Sequence, residues 1–217
     1  MPIDPQVAYN SLIAGAGAFL NKYPIRIFGA TVASGVTGYR FRNRGVSKRP
    51  GTIMNTLRMK PTESFEIRSD AAMLGVPVVP GVPVNGHVFQ AHSVHMDLGI
   101  GAMNFYNLGG GGPNIMVTGQ LTGCSFIMTA GAGGSVNVAH VSPTGTTGVL
   151  LRAALAAANA GAQIYGVGQY DHNDRTVSIM GVRTGTTWRI YAQKHDATTY
   201  DYRIKSVYQI WPNRMKL

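Results

Sequence analysis

The sequence predicts an α+β domain, a β-sandwich of mostly antiparallel strands with one N-terminal helix and one helix in its second half. Three observations carry this. Glycine and proline are abundant, 28 and 11 in 217 residues, and they cut the chain into short apolar runs rich in β-branched and aromatic residues. Runs of that kind, separated by turn residues, read as packed strands. Only two stretches, 4–20 and 142–161, depart from this rhythm with helical patterning. A chain of this length buries about 70% of the surface that its unfolded form exposes, so it needs no disulfide or metal staple. With no internal repeat and no obvious linker, we expect a single domain over 1–217, with 1–22 a helical segment packed on it.

Taken in order, Asp4-Pro5 supplies an N-cap and a first helical residue. Val7, Leu12, Ile13, Ala16, Phe19 and Leu20 then give an apolar face, weakened by Gly15 and Gly17. No basic residue precedes the apolar centre at 12–20, which makes a poor Sec signal peptide. A signal for a specialised secretion system is the alternative to a packed helix. Strands are expected at 25–32, 39–44, 53–59 and 64–68, then a proline-broken edge segment at 74–84. Further strands follow at 87–91, 94–100, 103–108 and 115–118. Before the last of these, Gly109 to Pro113 reads as a mobile rim or as a tightly turned connector. It is no phosphate loop, since neither a Lys-Ser/Thr pair nor a helix pattern follows. Strands at 126–129 and 136–141 flank a glycine-rich turn, and Ser142-Pro143 opens the second helix, which ends at Gly161. Strands at 164–167, 176–182, 187–193 and 204–211 complete the chain. No apolar run approaches the ~20 residues that a membrane-spanning helix requires.

The formal net charge is +10, unevenly spread. Ten Lys or Arg residues and two acids lie between Lys22 and Arg68, and none of the residues between Arg68 and Arg152 is Lys or Arg. Arg40, Arg42 and Arg44 alternate with Tyr39, Phe41 and Asn43, so a strand there sets three guanidiniums on one face. That face is either solvated or a contact surface for an acidic protein or RNA. No helix-turn-helix, RNA-recognition motif or zinc-finger spacing is present, which leaves nucleic acid a minor option. His92, His95 and Asp97 do not share a strand face, so no metal is expected there. His172 and Asp174 sit in a turn sequence, with a place near the site as the alternative. Neither a Gly-x-Ser-x-Gly elbow nor a papain-type cysteine signature occurs.

The chemistry concentrates at the single cysteine, Cys124, sixteen residues before His140. One cysteine forms no internal disulfide and suits a reducing cytosol. A thiolate is a strong nucleophile near neutral pH, and an imidazole is its usual activator. A hairpin centred on Ala132 pairs residues whose numbers sum to 264 or 265, which puts Cys124 opposite His140 or one position off. Opposite residues carry Cβ atoms about 5 Å apart. Such a pairing is expected to lower the thiol pKa below its ordinary value of about 8.5. The bland alternative is a lone buried cysteine acting as a small hydrophobe.

Thr118 lies six residues before Cys124, and the run Leu121-Thr122-Gly123-Cys124, a turn, then His140 shortly before Pro143 and a helix, resembles the cysteine glutamine deamidases. That superfamily includes the chemoreceptor deamidases, the Burkholderia lethal factor and the catalytic domain of cytotoxic necrotizing factors. The resemblance covers residues 115–150. It implies Cys124 as nucleophile, His140 as general base and Thr118 as the group that orients the imidazole. The backbone around Gly123 and Ser125, with the N–H of Cys124 or Ser125 foremost, would bind the oxyanion. Implied with it is hydrolysis of a protein glutamine to glutamate without cofactor, and the basic segment adds the expectation of an acidic docking surface on that protein substrate. The short, basic chain suggests a monomeric bacterial toxin or effector, made in the bacterial cytoplasm and delivered into a target cell. A transglutaminase, a chemoreceptor-type deamidase and a non-catalytic binding module with a basic face remain alternatives.

Overall fold

The computed structural model describes residues 2–28, 33–46, 63–69, 86–170, 176–198 and 201–217. Asp4 caps the first helix, α1 (Pro5–Ala14), its Oδ1 accepting from the N–H groups of Gln6 and Val7 at 2.9 and 3.2 Å. The single N-terminal helix expected from the sequence is two. Gly15 leaves helical geometry, and α2 (Ala16–Lys22) starts afresh beyond it. Glycine is the weakest ordinary residue in a helix interior, so the break falls there. Ala8, Leu12, Ala16, Phe19 and Leu20 are buried, whereas Val7 is 57% exposed.

The chain then forms β1 (Ile25–Phe28), β2 (Gly35–Val46), β3 (Glu63–Ser69), β4 (His87–Val94), β5 (Met96–Leu98), β6 (Tyr106–Leu108) and β7 (Ile115–Thr118). Next come β8 (Ser125–Ala130), β9 (Val136–Ser142), α3 (Gly148–Ala158), β10 (Gln163–Tyr165), β11 (Thr176–Thr184), β12 (Thr187–Thr198), β13 (Asp201–Trp211) and β14 (Met215–Lys216). The molecule is α+β, mostly strands with three helices among the described residues. A strongly curled nine-stranded sheet has the order β1-β3-β2-β4-β7-β11-β12-β13-β14, and a small sheet has β10-β8-β9-β5 with β6 also on β9. Pairing is mostly antiparallel, as expected, yet β1–β3, β4–β7 and β5–β9 are parallel, so both sheets are mixed. The expected strands at 53–59 and 74–84 lie outside the described residues.

Two departures from the sequence expectation matter for the site. The strand expected at 94–100 is split. Val94 ends β4 in the large sheet and Met96 starts β5 in the small one, so the chain changes sheet at His95. The second helix starts later than Ser142-Pro143 implies, because β9 runs on to Ser142, which pairs with Leu98. Thr147 is its N-cap, the Oγ1 accepting from the Leu150 N–H at 3.3 Å. A Cβ at Gly148 would overlap the Gly123 carbonyl and Val167, so only glycine lets this helix start against the cysteine loop.

Alternation along each strand divides the core into three layers. Ile115, Val117, Met180 and Val182 face α1 and α2. Met116, Leu121, Val177, Ile179, Trp188 and Ile190 pack against Phe126, Met128, Val136 and Val138 of the small sheet. Ile127, Ala139 and Val141 pack against Leu151 and Leu155 of α3.

Candidate active site

The β8–β9 hairpin turns through a short 3-10 segment at Ala132–Gly134, closed by the Gly131 N–H donating to the Ser135 carbonyl at 2.8 Å. Gly133 and Gly134 both have positive φ, 63° and 81°. Its register pairs Phe126 with His140. The turn is thus displaced from the expected centring, and Cys124, two residues before Phe126, is a diagonal rather than an opposite neighbour of His140. Both side chains still lie on the same face, with Cβ atoms about 7–8 Å apart by strand geometry. That face is the one packed against the large sheet, since Cys124 and Phe126 belong to the inter-sheet core.

Thr118 ends β7 in the large sheet and reaches His140 across the two sheets. Its Oγ1 lies 2.8 Å from His140 Nδ1 and donates to the Val94 carbonyl, also at 2.8 Å. A hydroxyl has one proton, so with that proton on Val94 its oxygen accepts from Nδ1–H. The tautomer is thereby fixed, and Nε2 carries the lone pair. His140 is 1% exposed, and its Nε2 is buried without a hydrogen-bond partner. Burial, then the nearby His95, push its pKa down to about 4.

Cys124 is 6% exposed, and its thiol donates to Met96 Sδ at 3.6 Å. Met96 in β5 is the parallel partner of His140 in β9, so thioether, thiol and imidazole form one cluster. No hydrogen bond joins Cys124 to His140. Burial pushes the thiol pKa up, against a smaller opposing effect of a bond with the Thr122 backbone. The expected depression of the thiol is therefore overturned. An apolar wall and a neutral imidazole do not stabilise a thiolate, and the resting pair is neutral thiol with neutral imidazole.

The two positions named for the oxyanion part company. The Gly123 N–H donates to Tyr170 Oη at 3.0 Å, and that hydroxyl donates to the Cys124 carbonyl at 2.6 Å. Gly123 has φ 151°, a conformation open to glycine, but its N–H is occupied. Ser125 begins β8, and alternation turns its side chain away from Cys124 towards α3. Its Oγ is buried without a partner. Tyr170 and Met96 escaped the sequence reading. Neither belongs to a motif, and 46 residues separate Tyr170 from Cys124.

The other candidates resolve differently. His92 Nδ1 bonds Tyr106 Oη at 2.8 Å, and Asp97 Oδ2 accepts from the Asn104 N–H at 2.8 Å. Among the described residues no group of three His, Cys, Asp or Glu side chains converges as a metal site. The segment from Gly109 to Pro113 is pinned, the Trp188 indole donating to the Gly109 carbonyl at 3.0 Å and Arg183 to the Gly112 carbonyl at 2.6 Å. It is the tight connector rather than the mobile rim. His172 and Asp174 lie outside the described residues. In β2, Tyr39 and Phe41 are buried under the helices, while Arg40 and Arg42 are half-buried and Arg44 exposed on the opposite face. Arg26 and Arg42 flank Glu66 in register, and Arg40 pairs with Arg68. Glu66, 1% exposed, accepts from Arg44 at 3.0 Å and Arg68 at 2.7 Å.

No family model matches this chain, and no curated protein is significantly similar to it.

Proposed function

We propose that this chain is a protein glutamine deamidase built on Cys124, His140 and Thr118, acting as a bacterial effector on a protein of the target cell. The observation that carries the reading is the Thr118–His140 hydrogen bond, which leaves an unpartnered, buried Nε2 one diagonal step from the only cysteine. A general base requires an open acceptor of this kind. Rotation of Cys124 about χ1 releases Met96 and turns Sγ towards the imidazole. His140 Nε2 takes the thiol proton as Sγ attacks the carboxamide carbon, and the negative charge collects on the amide oxygen. That oxygen is held by the N–H of Cys124 or Ser125. The proton on Nε2 passes to the amide nitrogen, ammonia leaves and a thioester remains. Water, deprotonated by the same nitrogen, hydrolyses the thioester to glutamate and restores the thiol. An amine in place of water makes the same intermediate a transglutaminase product. The arginine face of β2 supplies the docking surface for an acidic region of the substrate.

A second reading, a non-catalytic binding module contacting its partner through that basic face, is favoured by the buried, protonated thiol bonded to Met96. Cys124→Ser separates the two. Ser is nearly isosteric and far less nucleophilic at neutral pH, so the variant keeps its melting temperature and loses ammonia release and Gln→Glu conversion in target-cell protein, read by mass spectrometry. A Ser variant as toxic to target cells as the wild type favours the binding module.

A further inference from the structure

The turn after β10 holds the backbone of the cysteine. Tyr165 of β10 pairs with Phe126 of β8, so the segment that follows is anchored beside the hairpin. The turn is braced internally, the Gln169 N–H donating to the Gly166 carbonyl at 2.9 Å and the Gly166 N–H to Gln169 Oε1 at 3.1 Å. At its end Tyr170 is 1% exposed and its ring stacks on Tyr165 at a centroid distance of 6.0 Å. Its single hydroxyl spans the nucleophile, accepting from the N–H of Gly123 and donating to the carbonyl of Cys124. The Thr122–Gly123 and Cys124–Ser125 peptide groups, which lie on either side of the Gly123–Cys124 peptide, are thereby held by one atom.

We propose that Tyr170 is a positioning residue. Its hydroxyl locks the Gly123–Cys124 backbone so that the thiol faces the Met96–His140 side, and it removes the Gly123 N–H from the oxyanion site, leaving the N–H groups of Cys124 and Ser125. This deepens the deamidase reading and rests on it for the nucleophile and the oxyanion site; the clamp itself is independent of the reaction. The phenol keeps its proton, since burial and the adjacent Cys124 both raise its pKa. The donor is thus present across the whole pH range in which a thiol works.

Tyr170→Phe in the full chain tests this, because the ring that packs on Tyr165 is retained. The loss of two hydrogen bonds is expected to speed amide exchange at Gly123 by about tenfold or more while Phe126 to Met128 keep their protection. Alkylation of Cys124 by iodoacetamide is expected to accelerate severalfold, with its pH midpoint falling towards the ordinary thiol value as the sulfur gains solvent. Ammonia release from dialysed target-cell cytosolic protein is expected to drop about tenfold in kcat with KM unchanged. Loss of stability also exposes a buried thiol and slows turnover, so the discriminating result is faster exchange at Gly123 while Phe126 to Met128 keep their protection. Unchanged Gly123 exchange together with an unchanged alkylation midpoint overturns the proposal, as does exchange that accelerates equally throughout β8. If the Phe variant does not fold, Gly123 protection in the wild type decides, and an amide exchanging like an open loop overturns it. A wild type that releases no ammonia sinks the deamidase reading and leaves the first two measurements to judge the clamp.

Discussion

His140 and His195 are both buried, and each gives a ring nitrogen to a hydroxyl that itself donates to a main-chain carbonyl. Thr118 does this for His140 through Val94, and Ser178 for His195 through Ile25, at 2.8 Å to the carbonyl in both cases. Burial drives both imidazoles neutral, to about 4 for His140 and about 3 for His195. The surroundings then diverge. His195 sits on the helix side of β12 among Ser178 and Gln193, whose amide accepts from the Ile25 N–H at 2.7 Å and donates to the Tyr23 carbonyl at 2.8 Å. Those bonds stitch the α2–β1 connection to the large sheet. His140 faces the seam between the sheets, with Met96 and the cysteine beside it. One local device serves as a tie in the first place, and in the second it leaves a buried acceptor in the seam beside Cys124. The difference lies in what the remaining ring nitrogen and its neighbours can do.

Removing the hydroxyl from each device is the sharpest way to test that contrast. Thr118→Val keeps shape but takes the hydroxyl away from the Val94 carbonyl and the Nδ1–H of His140, and Ser178→Ala takes it away from the Ile25 carbonyl and His195. Each change is expected to cost about 1–3 kcal/mol of stability in urea unfolding. Only Thr118→Val is expected to lower ammonia release, by about a hundredfold or more, since it alone frees the base to turn. Equal loss of activity in the two variants breaks the comparison, because the Ser178 site has no part in the proposed reaction.

Acid sharpens it further. Both histidines have folded pKa values below the unfolded value of about 6.5, so protons bind the unfolded chain first. Their contribution to stability is fully present above that value and is lost as the pH falls towards about 4 for His140 and about 3 for His195. Urea midpoints are therefore expected to decline from pH 6.5 downwards, and His140→Asn and His195→Asn each to remove about one proton from the slope. The part of the histidine slope that persists below pH 4 belongs to His195. If His195→Asn leaves that lower part intact, His195 is not the more deeply neutralised of the two.

The pairing of Thr118 with His140 was legible only through the resemblance of the Thr118, Cys124 and His140 spacing to a known family, whereas hairpin arithmetic spoke to Cys124 and His140 alone. The basic face of β2 was legible directly, because alternation of Arg with Tyr39 and Phe41 admits a single arrangement. The exact register of the hairpin was not legible, because Gly131 to Gly134 permit several turns of different length. Tyr170 and Met96 were invisible for another reason. Their roles come from a turn and an edge strand brought up by the tertiary fold, and nothing local to residues 96 or 170 announces a partner at 124. The sign of the thiol shift failed on the same ground. Sequence proximity to a histidine says nothing about how dry the shared seam will be, and dryness decides which member of the pair keeps the proton.

The smallest expected effect on activity concerns the arginines, which lie with the His195 half of the molecule. The charge that reaches His195 is Arg26, whereas the nearest one acting on His140 is His95. Replacing Arg40, Arg42 and Arg44 together with Gln leaves the buried Glu66 its 2.7 Å bond to Arg68 but removes its 3.0 Å bond to Arg44, so a stability loss of about 1–3 kcal/mol is expected. Iodoacetamide labelling of Cys124 is expected to be unchanged at every pH. What should change is encounter with an acidic target: modification slower by a fewfold at low salt, and less sensitive to added salt. Target modification that matches the wild type at every ionic strength reduces this face to a solvated strand. A loss of thiol reactivity instead means that the arginines act on the seam between the sheets, and the separation of the two halves fails.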